Sequence, residues 1–401
     1  MKCCGLLSVV GVVLAFTLII VITVRKINFG VALLAGSFVL GISSGFTPQD
    51  FMHVFILALS DPETINLCLL IALIGFLGFC LKETGLMTDL IEGLGRILSN
   101  RSLLALIPGV IGMMPMPGGA LLSAPFIDDE ANRLGVGAEM KTFINLWFRH
   151  ISFLIYPLST PLIMAVSIAH VNIYSLIAFQ LPLAAVYILI GYLASIRPIK
   201  QSGKRAVYGS YKIIVVGLLP ILLAISLNAI GIHLAFGLVV GIAATLCIRR
   251  VSFRKVPYML RHGVPWGLVF VMATIMVFRY VIQSSKALDL IFSGLRDMGV
   301  PQPLFLTLFP FLIATVVGSP WGAVGICFPL LLPTIGSNII SVSLLYISVI
   351  FGYLLSPLHL CLILTLGYFR SKLYGVYRML IPVDLSVYLV GLGLILVFMR
   401  L

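Results

Sequence analysis

Residues 102–127 read SLLALIPGVIGMMPMPGGALLSAPFI, an apolar stretch with Pro108, Pro115, Pro117, Gly118 and Gly119 set inside it. Proline removes a backbone donor, and glycine permits dihedrals that other residues avoid. Such a break at membrane depth is tolerated only where protein buries it or a water-filled cavity solvates it. The stretch therefore predicts a re-entrant hairpin or a broken helix, not a plain span. A second stretch of this kind covers 303–333, where VGSPWGAVGICFP (317–329) carries Gly318, Ser319, Pro320, Gly322 and Gly325.

The chain around them has lipid as its main solvent. Of its 401 residues 61% are hydrophobic and only 10% charged, with a mean hydropathy of +1.17; soluble domains average about 25% charged residues. Hydropathy gives ten spans, over 4–24, 29–46, 65–82, 143–166, 172–195, 212–230, 232–248, 264–283, 338–369 and 381–399. Each is of the order needed to cross a hydrocarbon layer about 30 Å thick. The net charge of +13 reads as basic loops that orient the chain in a membrane, and nucleic acid is not an expected partner.

The two hairpins belong to a longer repeat. LKETGLMTDLIEGLG (81–95) resembles IQSSKALDLIFSGLR (282–296), and Tyr156-Pro157-Leu158 falls on Ser356-Pro357-Leu358. The fold class expected is an all-α polytopic membrane protein of two inverted repeats, each with five transmembrane helices and one re-entrant hairpin. The first repeat is 1–195, the basic linker 196–211, and the second repeat 212–401. Charge supports inversion. Loop 47–64 holds Asp50, Asp61 and Glu63 and no Lys or Arg, and its counterpart 249–263 holds Arg249, Arg250, Arg254, Lys255 and Arg261 without an acid. The linker is basic, as is loop 370–378 with Arg370, Lys372 and Arg378. The expected placement is a multi-pass protein of the cytoplasmic (inner) membrane, with both termini outside and the linker inside. Segments 86–99 and 285–298 read as helices lying along the membrane surface before each hairpin.

Freed amides at a half-helix start attract anions, and freed carbonyls attract Na⁺. The candidate ligands in the hairpins are Pro117, Gly118, Gly119, Ser123, Gly318, Ser319 and Gly322. The span after each hairpin is itself interrupted, by Pro157 and Pro161 around Ser159 and Thr160, and by Pro357 between Ser356 and His359. Asn145, Arg149 and His150 sit inside the first of these. An arginine is a fixed positive charge, costly in a span unless paired or solvated. It reads as an anion ligand, as a side chain snorkelling toward the cytoplasmic face, or as the partner of Glu139 or another acid in the 128–139 loop. No Asp or Glu occurs between Glu139 and Asp289, and Asp384 reads as lying near a span end. A carboxylate relay is therefore not expected. The coupling ion would be Na⁺ on carbonyls and hydroxyls, or H⁺ on histidine. The seven cysteines form no metal-ligand spacing and read as small buried hydrophobes. No P-loop, G-x-S-x-G, H-E-x-x-H or GxGxxG is present, so no enzyme and no cofactor is expected.

At MPMPGGALLSAP (114–125), WFRH (147–150) and LLSPLHLCLIL (354–364) the sequence resembles an uncharacterised prokaryotic membrane family of the Ion Transporter superfamily. That group is related to gluconate, citrate and dicarboxylate transporters, arsenite permeases and some sodium/proton antiporters. The resemblance implies a scaffold and a transport domain, elevator-like movement and a homodimer. It also places the site at Pro117-Gly118-Gly119, Ser159-Thr160, Ser319-Pro320-Trp321-Gly322 and Ser356. The Ser-Asn-Thr tip signature of the dicarboxylate relatives is absent. The function expected is an ion-coupled secondary transporter of a small organic anion. The alternatives are a sodium/proton or oxyanion efflux exchanger and a non-transporting membrane scaffold.

Overall fold

The computed structural model describes residues 2–25, 27–97, 100–113, 119–200, 211–285, 302–336 and 338–400. Every regular element among them is helical. Among the described residues six helical stretches are long and apolar enough to cross a membrane: Pro62–Glu83, Ala138–Ala169, Ile173–Ile196, Tyr211–Ala229, Trp266–Ser284 and Leu373–Val397. The outer surface stays apolar, with Ile42 68% and Leu389 64% exposed, as lipid requires and water does not allow. Tyr211, Trp266 and Tyr374 are exposed at helix starts, the place where amphipathic rings meet headgroups. The protein is a multi-pass membrane protein.

Helix ends follow local chemistry. Thr47 and Asp50 form a reciprocal capping box that starts Pro48–Ser60, and hydrogen bonds from Thr47 hold the Asp50 carboxyl below the usual carboxylate range. Asn172 and Asn338 accept from the first-turn amides of the helices they begin. Most of the segment read as loop 47–64 is thus a helix. The final helix runs Leu373–Arg400, eight residues earlier than the expected span at 381. It takes in Arg378, leaving only a short break after Phe369. Asp384 is consequently fully buried, with neither carboxyl oxygen partnered, and not near a span end.

The helices pack as two bundles that each draw on both halves of the chain. In the first, Lys2–Val24 pairs with Phe29–Ser43 and Tyr211–Ala229 with Leu234–Ile248; Pro62–Glu83 and Trp266–Ser284 cross between them. In the second, two helical hairpins surround two interrupted spans. One hairpin is Asn100–Gly112 with Ala120–Arg133, and the other is Gln302–Val317 with Pro320–Ile335. The interrupted spans are Ala138–His150 continued by Thr160–Ala169, and Ile339–Leu354 continued by Leu360–Phe369. The second helix of each pair is ten residues long and ends on a left-handed residue, His170 at φ 53° and Arg370 at φ 52°. The amphipathic helix Leu86–Ile97 buries Leu86, Met87, Leu90 and Ile91 and packs on Tyr211–Ala229. Its expected counterpart beyond Ser285 lies outside the described residues, as does Asp289.

Close backbone approach holds the hairpins to the spans. A Cβ at Gly352 would lie 2.8 Å from Phe311 Cα and carbonyl carbon, and Thr315 Oγ1 donates to the Gly352 carbonyl at 3.0 Å. Backbone cannot rotate away as a side chain can. Gly352→Ala should therefore cost about 1–3 kcal/mol, read as a lower melting temperature in detergent. Gly367→Ala, which meets nothing within 4 Å, should not lower it.

Candidate functional site

The first break and the helix ends on either side of the second border one cavity. The first break covers Tyr156–Ser159 and the second Leu355–His359. At the restart, Ser159 and His359 occupy N-cap positions without a side-chain capping bond. The second hairpin turns through Gly318, at φ 64°, where its helix Pro320–Ile335 begins with Ser319 capping the Gly322 amide at 3.2 Å. Three helix N-termini, at Thr160, Pro320 and Leu360, thus line the cavity together with Arg149, His150 and Tyr353. Its volume is about 120 Å³; at roughly 10–15 Å³ per water, it suits a small solute and not a drug-sized one.

Arg149 is the central charge. It is 6% exposed, and its Nη1 has no hydrogen-bond partner. The first hairpin holds it from two sides. A Cβ at Gly112 would meet the Arg149 carbonyl, with its Cα at 3.1 Å, and a Cβ at Gly119 would meet the guanidinium, with Cζ at 2.9 Å. Gly119 is also the uncapped N-terminus of Ala120–Arg133, so a fourth positive helix end abuts the guanidinium. Three of the four acids of the neighbouring segment are engaged elsewhere, and the fourth, Asp129, is exposed. Asp128 pairs with Lys141 at 2.6 Å, Glu130 with Arg133 at 3.6 Å, and Glu139 accepts from the Lys372 amide at 3.4 Å. The ion pair with a loop acid does not form. Among the described residues no Asp or Glu lines the cavity.

Buried hydrogen bonds fix this arrangement. Ser123 donates to Asn145 Oδ1 at 2.5 Å, and Asn145 Nδ2 donates to the Ala120 carbonyl at 3.0 Å and to Thr365 Oγ1 at 3.4 Å. One fully buried amide therefore ties the first hairpin to both interrupted spans. Trp147 stacks on Tyr187 with centroids 4.0 Å apart, and the two residues exchange hydrogen bonds with each other's backbone carbonyls.

Of the residues expected at the site, Arg149, His150, Ser159, Thr160, Gly318 and Ser319 line the cavity. Gly119 lies against the guanidinium, and His359 Nε2 meets His150 Nε2 at 3.1 Å. Ser356 is fully buried, its Oγ 3.0 Å from where a Cβ on Gly318 would sit. Ser123 and Asn145 stand behind the cavity as its support. Gly322 faces the ring of Phe29, 3.0 Å from its would-be Cβ. Pro117 and Gly118 lie outside the described residues. Tyr353, Phe153, Leu268 and Cys361 also line the cavity and carry no local sequence signal for it. Cys361 is buried as expected, and its Sγ also comes within 4.8 Å of ring nitrogens of His150 and His359; Cys247 is exposed, against the expectation that the cysteines are buried.

The family profile of DUF401, described as a protein of unknown function, matches residues 7–398. The chain belongs to the DUF401 family. No curated protein matches it. Among solved structures it is similar to the Alcanivorax borkumensis YdaH transporter, at a TM-score of 0.64 and 16% identity over 88% of this chain and 89% of that one. At that identity the likeness is one of fold, and the fold is one that a transporter uses.

Asn145→Ala removes the amide that three elements share. Leaving buried partners unsatisfied costs about 1–3 kcal/mol, so the variant should melt measurably lower than its parent. Ser386→Ala, at an exposed hydroxyl bonded only within its own helix, should melt like the parent.

Proposed function

We propose that the chain is an ion-coupled secondary active transporter of a small organic anion, a carboxylate. The observation that carries this reading is Arg149: a permanently charged, buried guanidinium with an unpartnered nitrogen, beside converging helix N-termini and with no carboxylate among the described residues of the cavity wall. The fixed charge and the helix dipoles there favour a negative guest. Broken helices whose N-termini meet a substrate carboxylate are a known device of secondary transporters, and the fold shared with YdaH agrees with transport.

In this reading the chain's two halves are inverted repeats. The bundle of hairpins and interrupted spans is the moving body, the other bundle is the scaffold, and a homodimer works in the inner membrane with both termini outside. The coupling ion is Na⁺, held by carbonyls and hydroxyls at the breaks, with Ser159, Thr160 and Ser319 as the nearest hydroxyls; H⁺ is the alternative. The sequence resemblance to the Ion Transporter superfamily supports the same scheme.

Purified protein in detergent tests it by melting temperature. Na⁺ is varied at constant ionic strength against a panel of small carboxylates and oxyanions. A ligand at about 100 times its dissociation constant adds about 2.7 kcal/mol to the folded state. One carboxylate should give a saturable shift that Na⁺ deepens. Arg149→Gln should melt cooperatively yet lose the anion shift, and Gly119→Leu, which fills the guanidinium's place, should lose it as well. A shift of equal size in Arg149→Gln, or a flat response across the panel, would refute the assignment. A response to oxyanions alone would move the substrate class to the exchanger reading.

A further inference from the structure

Two imidazole nitrogens and one thiol meet beside the cavity, His150 and Cys361 on its wall and His359 fully buried next to them, and none of them is needed to hold an anion. His150 ends the helix Ala138–His150, its Nδ1 bonded to the Leu146 carbonyl at 2.5 Å. That bond places the proton on Nδ1 and leaves Nε2 with a bare lone pair. A ligating histidine usually presents itself in this way, with its other ring nitrogen donating to a carbonyl. His359 comes from the second interrupted span, and the two Nε2 atoms face each other at 3.1 Å. Two lone pairs cannot sit at that distance unless a proton or a metal ion separates them. Cys361 supplies a third donor, all three atoms lying within 4.8 Å of one another.

We propose that His150, His359 and Cys361 bind a single soft monovalent d¹⁰ cation, copper(I) or its redox-stable analogue silver(I). Imidazole and thiolate are the ligands such ions select. With metal–nitrogen bonds of about 2.0–2.1 Å and metal–sulfur bonds of about 2.3 Å, a trigonal ion needs the two nitrogens roughly 3.5 Å apart, so the imidazoles open by a few tenths of an ångström from 3.1 Å and the thiol moves in from within 4.8 Å. Both histidines are at most 2% exposed and Cys361 is 9% exposed, so charge decides the valence. A monovalent ion on one thiolate and two neutral imidazoles is a net-neutral unit. A divalent ion would leave an extra positive charge next to the buried Arg149. On binding, the Cys361 thiol loses its proton to solvent, and the proton on His359 moves from Nε2 to Nδ1. Aromatic rings hold the donors: Tyr353 lies on His359 with centroids 4.0 Å apart, and the Phe153 ring meets His150 at 5.1 Å.

The ion would join the two interrupted spans, His150 from the first and His359 with Cys361 from the second. Its presence does not depend on which anion, if any, the chain moves.

The test uses the full-length protein in detergent and chloride-free buffer, with Cys3, Cys4, Cys68 and Cys247 changed to serine. Cys80 and Cys327 are fully buried and stay. Silver(I) is added, excess ion is removed by gel filtration, and metal is counted by mass spectrometry. X-ray absorption then reads the donor atoms. One ion per chain with mixed nitrogen and sulfur ligation is expected. Cys361→Ala and His359→Gln should each weaken binding at least tenfold, and silver should raise the melting temperature of the parent background and of neither variant. If His359→Gln fails to fold, Cys361→Ala decides alone. Undiminished binding in Cys361→Ala, or a sulfur-only spectrum, would overturn the site. Zinc(II) binding as tight as silver(I) in the same assay would overturn the monovalent assignment.

Discussion

A guanidinium that cannot give up its proton stands buried at Arg149, with no acid among the described residues to meet it. An unpaired charge in a low-dielectric interior is costly, and the surrounding elements make the cost larger. Helix N-termini at Ala120, Thr160, Pro320 and Leu360 add partial positive charge around the same space. Such a site has two physical resolutions, bulk water or a bound anion. The cavity is walled in part by Tyr353, Phe153 and Trp321, and in the function proposed above an anion is what fills it. The rest of the second bundle serves to hold that guanidinium in place. Gly112 and Gly119 allow the hairpin to press against it, and Asn145 locks the hairpin to both spans.

The same breaks that make the site weaken the helices that carry it. Each interruption frees backbone groups that an unbroken span would satisfy internally. The protein offsets this with packing around the breaks. Tyr346 donates to the Phe153 carbonyl at 2.7 Å, Tyr377 to the Leu355 carbonyl at 3.1 Å, and Ser356 accepts from the Leu358 amide at 3.1 Å. These bonds come from neighbouring helices as well as from within the break. A shift between the helices would therefore be felt at the cavity, which is the mechanical requirement for linking movement to binding.

Much of this architecture was legible in the sequence. Prolines and glycines inside apolar stretches mark backbone breaks whatever the tertiary context, so the helix ends at Gly112 and Val317 and the breaks in both interrupted spans could be placed before any coordinates. Other features depend on partners far away in sequence. Whether Arg149 pairs with an acid of the 128–139 loop could not be read, because Asp128, Asp129, Glu130 and Glu139 are all close in sequence; only geometry shows three of them engaged elsewhere and Asp129 exposed. His150 and His359 are brought together across the two halves of the chain, and Cys361 had no motif to distinguish it from the other buried cysteines. Asp384 was misplaced for a local reason. The polar residues around Arg378 look like a loop, but helix continues through them and through Pro382, carrying the aspartate inside.

The central claim is that Arg149 holds an anion where the broken helices begin. A structure of the protein with a bromine-substituted small carboxylate, located by anomalous scattering or by density difference against the unsubstituted acid, tests this most directly. The account predicts a carboxylate on the Arg149 guanidinium, with bromine inside the cavity near Ser159 and Ser319. A bound acid elsewhere on the protein, with Arg149 still unpartnered or paired to a protein carboxylate, would contradict it.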